Sequence, residues 1–161
     1  MKSKGYTLTE AMLVVAIVAT VAGVASPLLV QMTNFWKLTG ARATIQRDVR
    51  ASLDTIDRFT RQAQAATVVI DQITNQPPFS RLTYTSIQGQ TVSFYQNGNK
   101  LFMTVNNQKS ILSSNIAYIA FTYPRTDDTS ILSVAITAQA STYLGGSKAL
   151  QLSIQKVRIM N

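Results

Sequence analysis

Cysteine and histidine are both missing from the 161 residues of this chain. Without cysteine there is no disulfide framework and no thiolate-ligated metal site. Without histidine there is no His-based catalytic triad, no His-ligated metal cluster and no group that switches near neutrality. Acids are scarce as well, seven against 15 basic residues, and Glu10 is the sole glutamate. These absences remove most common hydrolytic and metalloenzyme chemistry and weigh against an enzyme. No glycine-rich phosphate loop, paired-carboxylate constellation or repeat period occurs, so no cofactor and no metal is expected.

What the chain has instead is one long uncharged stretch. Residues 11–36 carry no charged side chain, and at about 1.5 Å per residue such a helix crosses a hydrocarbon core about 30 Å thick. Glu10 stands at its near end, where an ionisable group in lipid is costly unless it has a partner or a role. Phe35 and Trp36 at the far end fit an interfacial aromatic anchor and fit core packing equally well. Lys2 and Lys4 favour keeping the short N-terminal side cytoplasmic, which sends the chain from Lys37 onward across the membrane. Gly23 and Pro27 are the weak points of the helix. Proline lacks the backbone donor and its ring meets the carbonyl four residues back, so a kink or local melting is predicted there.

The order of residues at the N-terminus carries a resemblance. Met1-Lys2-Ser3-Lys4-Gly5, followed by Tyr6-Thr7-Leu8-Thr9-Glu10 and the apolar run, resembles the class III leader of type IV pilins and type II secretion pseudopilins. The resemblance implies that a prepilin peptidase cuts after Gly5, that the new N-terminal Tyr6 is methylated, and that Glu10 directs subunit assembly. Tyr6 stands where the family most often has phenylalanine, and Pro27 where many members carry a proline that lets the helix melt in the filament. An ordinary secretory signal has an apolar core of about 7 to 15 residues ending in a small-residue cleavage site. Residues 22–26 imitate such a site, but that reading leaves Glu10 without a purpose. Removal of Lys2 and Lys4 with the leader lowers the formal charge from +8 to +6.

Beyond the apolar run, Leu38, Ile45, Val49, Leu53, Ile56, Phe59 and Ala63 recur at helical intervals over residues 38–66. Arg50 and Asp54, Asp54 and Arg58, and Asp57 and Arg61 are each four apart, a spacing that supports a helix by roughly 0.2–0.5 kcal/mol per pair. The interspersed aspartates favour a solvated face over a nucleic-acid surface, which gains by concentrating one sign of charge. Nucleic acid is therefore disfavoured as a partner without being excluded. Asn75-Gln76-Pro77-Pro78 stops any helix. Strands are predicted over 81–87, 91–96, 101–105, 116–123, 131–138 and 149–159, with turns at Gly89, Asn97-Gly98, Asn106-Asn107 and around Gly145-Gly146. Asp127 and Asp128 with Thr126 and Thr129 are a thin oxygen supply for calcium, and a plain polar turn is preferred. The helical segment 45–66 and the strand layout from Ile111 onward are also similar to the larger minor pseudopilins, the J-type of type II secretion and its pilus counterparts.

The expected fold is α+β: residues 1–5 a prepilin leader, residues 6–36 a transmembrane helix segment, and residues 37–161 an extracytoplasmic domain. In that domain the second half of the helix packs across an antiparallel sheet of five to seven strands. The expected function is a minor pilin or pseudopilin, a structural subunit of a type IV pilus-like or type II secretion filament in the cytoplasmic membrane. Its implied partners are other pilin or pseudopilin subunits, the prepilin peptidase, the assembly platform and membrane lipid. The alternatives are a DNA-uptake (competence) pseudopilin and a solitary single-pass anchored binding domain.

Overall fold

The computed structural model describes Gly5, residues 7–142 and residues 148–160. The fold is α+β: one long helix, α1 (Leu8–Thr60), precedes eight antiparallel strands among the described residues. The 53 residues of α1 extend about 80 Å at the usual rise of about 1.5 Å. Over residues 11–36 the helix is exposed all round except for half-buried Ala25 and Asn34. Leu13, Val15 and Leu29 are each more than 60% exposed. Its length and composition allow it to cross a membrane, since a helix apolar on every side needs an apolar surrounding.

After Lys37 the helix becomes one-sided. Leu38 and Ala41 are half-buried, and Ile45, Val49, Leu53 and Ile56 are buried at spacings of three and four, which puts them on one face. Burying each such side chain contributes roughly 1.5–3 kcal/mol. The other face bears the charges, but the four-residue spacing forms only one of the three expected pairs. Arg61 Nε lies 2.9 Å from Asp57, whereas among the described residues no ion pair joins Asp54 to Arg50 or Arg58. Arg58 instead lies over the Phe59 ring, 5.3 Å from its centroid. Exposed pairs gain too little over side-chain entropy to hold every possible geometry.

The helix stops at Thr60, earlier than the periodicity predicts. The end of the second strand offers competing hydrogen bonds: Gln64 N–H donates to Thr85 (3.0 Å) and Ile87 N–H to Gln62 (3.0 Å). Ala63 is thereby drawn into a bridge with Ser86 and is fully buried there. Its place in the apolar stripe is kept, but by a short bridge rather than a helical turn. A single 3-10 turn, Ala65–Thr67, follows.

The strands are β1 (Val69–Asp71), β2 (Arg81–Thr85), β3 (Thr91–Asn97), β4 (Lys100–Val105), β5 (Gln108–Ser113), β6 (Ile116–Thr122), β7 (Ile131–Ser141) and β8 (Lys148–Arg158). They form two sheets rather than the single one expected, ordered β1-β2-β3-β4-β5 and β6-β7-β8. At the middle of the seam between them, flanked by backbone bonds from Ile116 N–H to Asn99 and from Phe121 N–H to Phe79, lies one buried side chain. Gln96, 3% exposed, donates from Nε2 to the carbonyls of Gly98 (2.8 Å) and Ala117 (3.2 Å), and its Oε1 accepts from Ile119 N–H (3.0 Å). A side-chain amide thus occupies the place where a backbone ladder between β3 and β6 would run. Both sheets turn apolar residues, among them Phe94, Leu101, Phe121, Val134 and Ile136, into one core shared with the stripe of α1.

Turn chemistry explains the hairpins. Between β3 and β4 the central residues are Gly98 and Asn99, with Asn97 opposite Lys100, one residue later than expected. Gly98 alone has positive φ (+62°), as a type II′ turn requires. Between β4 and β5, Asn106 and Asn107 both have positive φ (48° and 69°), matching type I′. The segment around Gly145-Gly146 lies outside the described residues.

Candidate functional site

The candidate site is the start of α1. Thr7, at φ −80° and ψ 154°, is extended backbone that delivers the chain into the first helical turn. Its hydroxyl accepts from Glu10 N–H (3.3 Å), and Glu10 Oε2 accepts from Thr7 N–H (2.9 Å) and the Thr7 hydroxyl (3.0 Å). This is a capping box, Thr-x-x-Glu, in which two helix-end donors are satisfied reciprocally. The pattern is readable in Thr7-Leu8-Thr9-Glu10, yet reading Glu10 only as a membrane acid overlooks it. Glu10 therefore has an intramolecular task. Both protein bonds fall on Oε2, and among the described residues Oε1 has no partner.

Gly5 precedes the helix, is exposed, and has open space where a Cβ would stand. Tyr6, expected to be the cleavage-site partner and methylation target, lies outside the described residues, as do Met1 to Lys4. Gly23 and Pro27 both lie inside α1, which runs through them without interruption. They are the two ends of one missing hydrogen bond. Pro27 has no N–H for the carbonyl four residues back, and that carbonyl belongs to Gly23. Apart from its own stretch of helix backbone, no protein atom lies within 4 Å of a Cβ built on Gly23, so the helix has room to adjust there without moving another element.

The remaining chemistry of the domain is sparse. Asp127 is paired with Arg125 (2.7 Å), and Asp128 accepts from the Ser130 hydroxyl (2.5 Å) and from Ser130 N–H (2.9 Å). These bonds to Ser130 hold the Asp128 carboxyl below the usual carboxylate range. The loop carboxylates are thus committed to the turn itself. No group of three acids that could hold a metal occurs among the described residues. One shallow cleft of about 450 Å³ is lined by Ile70, Phe79, Phe121, Thr122, Tyr123 and Thr126. Phe79 enters it at φ +60°, a backbone region that bulky residues rarely adopt, and partial burial pushes the Tyr123 phenol up.

No protein-family model, curated protein or solved structure matches the chain. The arrangement must be judged on its own chemistry. One end is a lone carboxylate on the rim of a helix with no other charge through residue 36. The other end of that helix is fixed into a folded domain by its apolar stripe.

Proposed function

We propose that the chain is a minor pilin or pseudopilin, anchored in the cytoplasmic membrane by residues 6–36 and assembled into a type IV-like filament. A prepilin peptidase removes residues 1–5, Tyr6 becomes the methylated N-terminus, and residues 37–161 stand outside the membrane as a pilin-like domain. The observation that carries this reading is Glu10: the only acid at the head of a helix otherwise uncharged through residue 36, five residues after Gly5 in a basic leader. In hydrocarbon the Glu10 carboxylate and the Tyr6 amine of a neighbouring subunit are each costly alone, so pairing them rewards one stagger between subunits. The capping box leaves Glu10 Oε1 for such a contact. Gly23 and Pro27 supply a place where the packed helix can unwind if neighbours cover the freed groups. The partners in this reading are other pilin-like subunits, the peptidase, the assembly platform and lipid, and the role is structural rather than enzymatic.

The capping box also favours a second reading, because it gives Glu10 a use in a solitary anchored domain. Glu10→Gln separates the two. Glutamine serves as well as glutamate at the third helical position of a capping box, so the helix start is kept while the charge is lost. The filament reading expects normal membrane level and leader removal, with reduced co-purification of other pilin-like subunits. Glu10→Ala should add the loss of the cap to that defect. If Glu10→Gln recovers every partner and forms filaments as the parent does, Glu10 is only a cap.

A further inference from the structure

The strand β8 ends the second sheet with a free edge that differs from the other edges. β1 is three residues long, and the pairing of β5 with β4 slips at a bulge. β6 is closed off by the Gln96 amide and by backbone bonds from Ile116 to Asn99 and from Phe121 to Phe79. β8 is eleven residues long, pairs with β7 without a register shift, and contains no proline. Short length, bulges, proline and charged side chains are the usual devices that stop an edge from accepting another strand; of these β8 carries only charges, all of them outside residues 149–155.

The register defines what this edge presents. Ile159 N–H donates to Ser130 (2.7 Å), so along β8 the odd-numbered residues bond β7. The N–H and C=O groups of Leu150, Leu152, Ile154 and Lys156 then point to the open side. Among the described residues no backbone group meets them, although the Leu152 carbonyl accepts from the Gln151 side chain (3.4 Å). The side chains at these positions share the outer face, away from α1 and the core. Leu150, Leu152 and Ile154 are 65%, 63% and 64% exposed, and Lys156 and Arg158 continue the same row, exposed. The inner face is polar over most of its length, with Gln151, Ser153 and Gln155 half-buried, and enters the core only at Val157. Leu150, Leu152 and Ile154 thus gain nothing from the chain's own core, to which β8 contributes Val157.

We propose that β8 is a docking edge that takes an extended, acidic segment of another protein as an added strand. The row reads as three apolar residues followed by two cations, so the complement in antiparallel pairing is a strand with two carboxylates followed by alternate apolar side chains. The ladder supplies affinity and the alternate side chains supply selection. A second copy of this chain is disfavoured by charge. Antiparallel pairing of two β8 strands centred on Leu152 would set position 148, also lysine, opposite Lys156, and like charges directly opposite are destabilising. Neither β7 nor β8 contains an acid. Asp128 lies within Coulombic reach of Arg158, which leaves Lys156 as the cation with the stronger claim on a partner's carboxylate. The inference concerns the folded domain and does not depend on the filament reading.

The test uses the full-length protein in phospholipid nanodiscs. The probe is a synthetic peptide of roughly ten residues, the length of a long strand, with glutamate at two alternate positions and valine at the next three, so that antiparallel pairing sets the carboxylates opposite Arg158 and Lys156. A control peptide carries lysine in place of glutamate. Saturable binding of the acidic peptide is expected, about tenfold or more weaker for the control. New protection from hydrogen exchange should be confined to the amides of residues 150, 152, 154, 156 and 158. Ile154→Lys should weaken binding about tenfold, because it places a charge inside the apolar row. Leu152→Thr, which keeps strand propensity, should weaken it less, with circular dichroism unchanged in both variants. Absence of binding, equal affinity for the two peptides, or protection elsewhere in the domain would overturn the proposal. So would self-association of the unliganded protein that Ile154→Lys abolishes, since the edge would then belong to a second copy.

Discussion

Replacing Gln96 by leucine tests the seam between the two sheets. Leucine keeps nearly the same volume, so the change removes hydrogen bonds without opening a large cavity. Two backbone groups lose their partner in the interior: Ile119 N–H, bonded at 3.0 Å, and the Ala117 carbonyl, bonded at 3.2 Å. The Gly98 carbonyl sits in an exposed hairpin and can turn to water. Each buried orphan costs about 1–3 kcal/mol, and burial of the leucine methyl groups returns about 1–2 kcal/mol. The net loss is about 1–4 kcal/mol. A truncated chain starting at Lys37 lacks the apolar run and keeps the stripe that covers the sheets, so it is the form to melt. For a domain of this size each kcal/mol shifts Tm by about 3–5 °C, which places the expected drop at about 3–20 °C. Exchange of the Ile119 amide should accelerate more than that of Val134 in the middle of β7. Gln88→Leu, in an exposed loop, serves as a control and should stay within about 0.5 kcal/mol of the parent. Equal melting temperatures for Gln96→Leu and Gln88→Leu, with Ile119 still protected, would show that the seam does not rest on this amide.

Three further outcomes are expected, two from the packing and charges of the domain and one from the proposed function. Ile56 is fully buried at the helix-sheet contact, so Ile56→Asp should abolish the cooperative melt of the truncated chain by burying an unpaired charge. A melting curve like the parent's would refute that packing. Mass spectrometry of the protein from its native host should find a chain beginning at Tyr6 with a methylated amine, and an intact Met1 in a host with active peptidase would falsify the family assignment. The Arg81 guanidinium holds the Asp71 carboxyl below the usual carboxylate range. Stability from this pair is therefore present above about pH 3.9, the ordinary value, and is lost as pH falls through the lower folded pKa. Both side chains are more than a third exposed (36% and 39%), which limits the contribution to under about 1 kcal/mol. Asp71→Asn should remove that part of the acid dependence in urea unfolding measured from pH 6 downward, and an unchanged profile would show the pair to be inert.

Period and turn chemistry made most of the architecture legible in the sequence. Ile45, Val49, Leu53 and Ile56 announce the buried face of α1 because a helical period is local information. Asn106-Asn107 announces a turn because its backbone requirement is local too. What escaped is what depends on distant neighbours. Thr60 ends the helix because Thr85 and Ile87, more than twenty residues on, compete for the backbone of residues 62–64. Gln96 divides the sheet because a buried amide finds Ala117 and Ile119; the period of two puts it on the face of Val92 and Phe94, but its partners lie over twenty residues away. β1 and β5 escaped for a simpler reason: one is three residues long and the other is exposed over its first four positions. At the candidate site the Thr7–Glu10 capping box was fully local and could have been read directly.

The continuity of α1 fixes an angle as well as a distance. Between Trp36, at the end of the uncharged run, and Ile45, the first fully buried residue, the helix passes through a neck of roughly 13 Å at about 1.5 Å per residue. Gly40 is the one glycine in that neck, and it lies within uninterrupted helix. The domain is thus keyed to the apolar segment like a gear on a shaft. Adding one residue to the neck would turn the domain by about 100° relative to the apolar segment. Seven added residues would lift it by about 10 Å and leave its heading within about 20°. Which side of the domain faces a given neighbour is therefore written in the number of residues between two hydrophobic landmarks, independently of what those residues are.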